Sequence, residues 1–273
     1  MTPSFWSSSV RVFDLSLGQM LWSRRSVFLG VLTGGPVVLA IALRVISELY
    51  THGFRINGAM TSGEAIFGAI IWMVYIWFII PVLGVFYGTA LIADEVEDKT
   101  ITYLFTRPIA RGAVLAGKFL AYLVCTVLLV LPSIVIVFFL IVPISGGRIA
   151  SAFPALVKDL GMVAIGLAAY GAVFAFVGTR FRRPLVAGLI FAFGWEKAVM
   201  ALPGYLKRLT VGYYMQALVT HQMPEDSAMS ILMQVFRETP GVWSSLFALA
   251  VIVSVGVWLA GRTVEQREYV LEQ

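Results

Sequence analysis

The stretch Ala113-Val114-Leu115-Ala116-Gly117-Lys118-Phe119-Leu120-Ala121-Tyr122-Leu123-Val124-Cys125-Thr126-Val127-Leu128-Leu129-Val130-Leu131-Pro132-Ser133-Ile134-Val135-Ile136-Val137-Phe138-Phe139-Leu140-Ile141-Val142 carries a single charge, Lys118, near its start. About 20 mainly apolar residues suffice to cross a bilayer as a helix. This run exceeds that length, so it reads as a helix in lipid, where every backbone group must be satisfied within the segment. The rest of the chain is built in the same way. Hydrophobic residues make up 59% of the 273 residues, charged residues 13%, and mean hydropathy is +0.89. Soluble domains carry about 25% charged residues. The charges that remain cluster in short patches between long apolar runs.

Six segments qualify as spans: 27–47, 65–92, 113–142, 160–178, 184–203 and 242–261. The second and third exceed what a core of about 30 Å requires at about 1.5 Å per residue, so they are expected to tilt or to extend into water. Pro81 and Pro132 lie inside them and predict kinks. The expected fold is all-α, one transmembrane domain over 1–273. No internal repeat is visible, and Gly/Pro interruptions do not fall at matching positions in two halves, as they tend to in inverted-repeat secondary transporters.

The connections set the orientation, because cytoplasmic loops retain Lys and Arg. One side carries Arg11, Arg24, Arg25, Lys99, Arg107, Arg111, Lys118, Arg180, Arg182, Arg183, Arg262 and Arg267, most of the 20 basic residues. The turn Arg180-Phe181-Arg182-Arg183-Pro184 is the strongest marker, since it holds no acid. That side is expected to be cytoplasmic, with both termini inside, in a cell (inner or plasma) membrane. The net charge of +5 is thereby assigned to topology rather than to nucleic acid. No cleavable signal peptide is expected, because the first 25 residues lack an unbroken apolar core and end in Trp22-Ser23-Arg24-Arg25. Instead Trp6, Val10, Phe13, Leu17 and Met20 recur at helical spacing, and residues 1–25 read as an amphipathic helix in the inner interface. A helix packed on a soluble partner is the competing reading.

The fifth span is irregular. Its apolar sequence runs from Pro184 to Trp195, meets Glu196-Lys197, resumes through Leu202 and stops at Pro203-Gly204. Glu196 is a candidate functional residue at membrane depth, where ionisable groups are costly. Alternatively it marks a helix end near the outer headgroups or pairs with a nearby cation. In the outer connection, 196–240, the apolar pieces 211–219 and 229–236 read as short helices lying at or dipping into the outer interface.

Catalytic chemistry has little to work with. His52 and His221 are far apart on outer connections, Cys125 is alone, and neither HExxH, GxSxG, CxxC nor GxxxxGK[ST] occurs. The chain therefore has no P-loop for nucleotide, no disulfide within itself and no multi-cysteine metal site. The informative charges lie between the second and third spans: Asp94-Glu95-Val96-Glu97-Asp98-Lys99-Thr100-Ile101-Thr102-Tyr103-Leu104-Phe105-Thr106-Arg107-Pro108-Ile109-Ala110-Arg111. Acids lead this stretch, as suits a helix N-terminus. Ile101, Leu104 and Phe105 give it an apolar stripe, and Arg107-Pro108 closes it. Such a helix, fixed between two spans, could transmit a push from a cytoplasmic partner; a solvated loop of balanced charge is the alternative.

The stretch resembles the signature of type-2 ABC exporter permeases. Glu95, Glu97, Thr100, Leu104, Thr106-Arg107-Pro108, Arg111 and Gly117-Lys118 match it in order, with Lys99 where a Gly is usual. Trp195-Glu196 followed by Leu202-Pro203-Gly204 is also similar to a pattern in the fifth span of that family. The resemblance implies a permease domain over the whole chain with no ATPase of its own. It implies two permease copies pairing around a path and two cytoplasmic ATPase subunits docking below, with ATP and Mg held in those partners and no cofactor in this chain. Segment 94–107 would be the coupling helix, and Asp94, Glu95, Glu97, Thr100, Arg107 and Arg111 would make the ATPase contacts. Membrane lipid is the other expected partner. An ATPase-independent transporter or channel, an intramembrane enzyme and an assembly scaffold remain alternatives on sequence alone.

Overall fold

The computed structural model describes residues 5–22, 24–49, 55–56, 59–60, 62–97, 111–202, 204–219 and 240–266. Among them, six helices are long and apolar enough to cross a membrane: Ser26–Leu49, Gly63–Asp94, Gly112–Ile141, Ile149–Arg180, Pro184–Ala201 and Val242–Gln266. They are spans 1 to 6. Each expected segment is found, and the fold is all-α apart from one minimal hairpin, in which Arg55–Ile56 pairs antiparallel with Ala59–Met60 between spans 1 and 2. Span 4 is longer than its apolar stretch, beginning at Ile149 rather than near 160. The third of it farthest from the arginine-rich turn after Thr179 carries Ser151, Lys158 and Asp159. These lower the hydropathy without breaking the helix, so hydropathy places its start too late.

Span 2 is not a regular α-helix. Ile71–Ile79 and Gly84–Gly88 are π-helical, and the short α segment Ile80–Leu83 between them carries Pro81. Proline has no N–H to donate, and wide i→i+5 turns on either side let the chain continue without the standard ladder. Pro132 instead lies within the uninterrupted helix Arg111–Ile141. Span 5 has its own π-helical stretch, Ile190–Trp195, which hands over to an α turn starting at Glu196.

Small residues bring the central helices together. A Cβ at Gly178 of span 4 would lie 2.3 Å from the Thr89 carbonyl oxygen of span 2, and one at Gly171 would lie 2.1 Å from the Tyr122 ring of span 3. With lipid as apolar as a leucine, this close packing is what associates helices in a bilayer. Hydroxyls tie the same helices. Ser133 of span 3 donates to the Thr33 carbonyl of span 1 at 2.6 Å and shares a 2.7 Å hydrogen bond with Tyr75 of span 2. Tyr122 donates to the Leu167 carbonyl of span 4 at 2.9 Å.

The N-terminal helix runs from Phe5 to Leu21. Its buried positions are Ser8, Ser9 and Ser16. The serine face meets Gly117 of span 3, whose Cβ would sit 2.5 Å from the Ser9 carbonyl oxygen. Phe13, Leu17 and Met20 turn partly inward, while Trp6 and Val10 stay exposed. Small polar residues win the contact because they permit close approach; the larger apolar ones are left to meet whatever lies outside the bundle.

Candidate functional site

Two places collect the residues singled out by the sequence. The first is the arginine-rich end, called the inner end after the orientation that the basic residues lead one to expect. The helix Ala90–Glu97 closes span 2 and packs against spans 3, 4 and 5. Asp94 is partly buried. Glu95 and Glu97 belong to this helix, and Arg111 opens the helix of span 3. Thr100 and Arg107 lie outside the described residues, as do His52, His221 and 229–236. Asp94, Glu95 and Glu97 therefore fall in the last turns of a helix already clamped to its neighbours, rather than at the start of one as their order suggested. The turn Phe181–Arg183 sits beside them: Asp94, Arg182 and Arg183 line one cavity of about 560 Å³ with Phe86 of span 2 and Leu185 of span 5.

The second place is Glu196, which is fully buried. It lies inside span 5 rather than at its end, twelve residues past Pro184. That is about 18 Å along a helix, little more than half of a hydrocarbon core of about 30 Å. One carboxyl oxygen, Oε1, accepts two hydrogen bonds: from the Tyr170 hydroxyl of span 4 at 2.7 Å and from the Gly212 amide at 2.8 Å. Oε2 is buried without a hydrogen-bond partner among the described residues. Lys197 does not pair with it; its Nζ stands 4.2 Å above the Trp77 ring of span 2, a cation–π contact.

Gly212 belongs to the connection that follows span 5. After Ala201 the chain turns at Gly204, whose φ of 109° a side chain would oppose. It then forms a 3₁₀ turn, Tyr205–Leu209, and a short helix, Val211–Gln216, capped by the Thr210 hydroxyl accepting from the Tyr213 amide. Tyr205 and Leu209 are exposed, whereas Val211, Gly212, Tyr213 and Met215 are buried. The short helix packs on spans 4 and 6, with the Met215 Cε only 2.7 Å from where a Gly166 Cβ would stand. The 211–216 helix is thus re-entrant: it folds back into the bundle to meet Glu196 rather than resting at the surface. Gly212 makes the approach easy, because a Cβ there would meet Met200 Sδ at 2.6 Å and Glu196 Oε1 at 3.3 Å and both side chains would have to shift.

Sequence reasoning identified Glu196 but not its partners. Tyr170 sits in the apolar stretch 160–178 of span 4, and a phenol there is a signal that some acceptor must be near. Gly212 and the Trp77–Lys197 pair carry no such signal. No group of His, Cys, Asp or Glu able to hold a metal ion occurs among the described residues.

The fold and its buried polar pin define a polytopic helical membrane protein. The family described as ABC-2 family transporter protein matches residues 16–223, and the chain belongs to it. It is accordingly a membrane transport permease, the transmembrane component of an ABC transporter rather than a catalytic subunit. No curated protein matches the chain significantly.

Proposed function

We propose that this permease works with a separate cytoplasmic ABC ATPase, docked on the acidic segment that follows span 2. The observation that carries the reading is a permease-family chain whose own sequence has no P-loop. Segment 94–107 is the coupling helix, with Asp94, Glu95, Glu97, Thr100, Arg107 and Arg111 meeting the ATPase. The helix Ala90–Glu97 packs on spans 3, 4 and 5, so a push there would reach three helices at once. Two copies of the chain pair around the transport path and two ATPases bind ATP and Mg below. Both termini and the arginine-rich end face the cytoplasm of a cell membrane. Residues 1–25 lie in the inner interface, which suits the exposed Trp6 and Val10. The re-entrant helix pinned by Glu196 closes the outer end, and ATP-driven tilting of the spans opens it in an alternating-access export cycle.

The test is copurification. The tagged full chain, extracted in mild detergent, should bring down an ATPase encoded beside it and stimulate ATP hydrolysis. Glu95→Lys and Glu97→Lys should each lower stimulated hydrolysis severalfold with membrane insertion intact. A chain that purifies alone and neither binds nor stimulates that ATPase would defeat the reading; normal coupling in both variants would remove these two acids from it.

A further inference from the structure

We infer that the cavity at the inner end, between spans 1, 2 and 5, is a binding site for one anionic phospholipid. Its walls come from three helices. Phe28 of span 1 and Phe86 of span 2 meet with ring centroids 4.9 Å apart at its back. Leu185 and Val186, the first exposed apolar residues of span 5, form a second side. Arg182 and Arg183 stand on the turn at its mouth, with Asp94 as the one acid in the lining. The volume is about 560 Å³, and it is partly open rather than sealed.

The chemistry of the lining changes with depth. Phe86 and Asp94 are eight residues apart on span 2, about 12 Å along a helix. Over that distance the lining passes from the Phe86 ring, through Ala90 and Ala93, to a charged mouth that holds Asp94, Arg182 and Arg183. A soluble anion matches only the mouth and leaves the apolar floor wet. A protein side chain entering from water would have to bury apolar surface beside two exposed charges. A phospholipid satisfies both ends at once, with its phosphodiester on the arginines, which present planar donor forks to phosphate oxygens, and the upper acyl chains on Phe28, Phe86, Leu185 and Val186. The excess of positive charge selects a headgroup with net negative charge, as basic clusters at the inner surface do. Bound there, the lipid joins the start of span 1, the acidic end of span 2 and the start of span 5, and so loads the segment proposed to couple to the ATPase.

The site rests on the proposed orientation only for the leaflet that supplies the lipid. A titration in detergent involves neither orientation nor ATPase, so its failure leaves the ATPase pairing standing. The full chain in a neutral detergent is titrated with phosphatidylglycerol, phosphatidylcholine or inorganic phosphate, and read by thermal unfolding and by native mass spectrometry. Phosphatidylglycerol should raise the melting temperature and remain bound as one tightly held lipid, while phosphatidylcholine at equal mole fraction does neither. Arg182→Gln with Arg183→Gln should weaken this by about tenfold or more, at about fivefold per cation facing an anionic headgroup. Arg182→Lys with Arg183→Lys should keep most of it. Arg148→Gln with Lys158→Gln, which removes two exposed charges at the opposite end, should keep all of it. The site is overturned by an equal response to phosphatidylcholine, by a shift with phosphate alone, or by unchanged lipid binding in the glutamine pair. Unchanged lipid binding with lost ATPase capture in that pair would give the turn to the ATPase instead. If the glutamine pair does not fold, maleimide labelling of Val186→Cys decides. Phosphatidylglycerol should slow labelling severalfold and phosphatidylcholine should not; equal slowing overturns the site.

Discussion

Spans 4 and 6 are equally apolar, yet 61% of the most apolar window of span 4 is buried within the chain and only 11% of that of span 6. The two helices pack against each other, with Gly256 of span 6 placed where a Cβ would stand 3.1 Å from Ala172 of span 4. The difference is in their other faces. Span 4 meets spans 2, 3 and 5 and the re-entrant helix, and glycines at the crossings let the backbones touch. Span 6 shows Trp243, Phe247, Val251 and Val255 to the outside. Lipid offers an apolar side chain the same environment as another helix does, so hydropathy cannot separate a core span from a peripheral one. Close approach and buried hydrogen bonds can.

The sharpest way to break the comparison is to add bulk where backbones touch. Gly178→Leu must drive side-chain carbon into the Thr89 backbone, and a loss of about 3 kcal/mol or more is expected, seen as aggregation on size-exclusion chromatography and a collapsed melting temperature. Gly161→Leu lies in the same helix with nothing within 4 Å and should change stability by no more than about 0.5 kcal/mol. Equal damage from both would mean that span 4 is not held by close approach.

The next largest effect belongs to Glu196. Glu196→Leu leaves the Tyr170 hydroxyl and the Gly212 amide buried without an acceptor, at about 1–3 kcal/mol for each such group. Glu196→Gln keeps an acceptor for both donors and should lose less than half as much in thermal unfolding. If the two variants melt together, the carboxyl does not pin the re-entrant helix. Gly212→Ala tests the same joint from the other side. Its Cβ displaces the flexible Met200 thioether, so a smaller loss of about 1 kcal/mol is expected, with faster thiol labelling of a cysteine placed at Tyr213. Of similar size is Ser133→Ala, which removes both hydrogen bonds of the link between spans 1, 2 and 3 and should cost about 1 kcal/mol in thermal unfolding, at about 0.6 kcal/mol for each hydrogen bond between membrane helices.

Much of the fold was legible because bilayer thickness is a ruler. Runs near 27–47 and 242–261 could only be spans, and their ends fell within a few residues of the helices Arg24–Leu49 and Val242–Gln266. Span 4 was the exception, since Lys158 and Asp159 mask a helix that continues outward. The N-terminal helix was legible in extent but not in packing: its periodicity marks the apolar face, whereas contact with span 3 went to the serines. At the candidate site, Glu196 stood out as a charge in an apolar run. Its partners did not, because Tyr170 and Gly212 lie 26 residues before and 16 residues after it, and no local pattern joins them.

By itself the amino-acid sequence determined that this is a multi-span helical membrane protein and which stretches cross. Its inner-end motif already resembled that of the permease family to which the chain belongs. These follow from the cost of exposing backbone and charge to hydrocarbon, which acts on each segment alone. Only the tertiary structure decided which spans form the centre. It also decided that the helix after span 5 folds back into the bundle, that Glu196 ties it to span 4, and that Arg182 and Arg183 stand over an apolar cavity. Those outcomes depend on contacts between residues distant in the chain, set by small residues and single hydrogen bonds, whose energies do not register in the composition of any one segment.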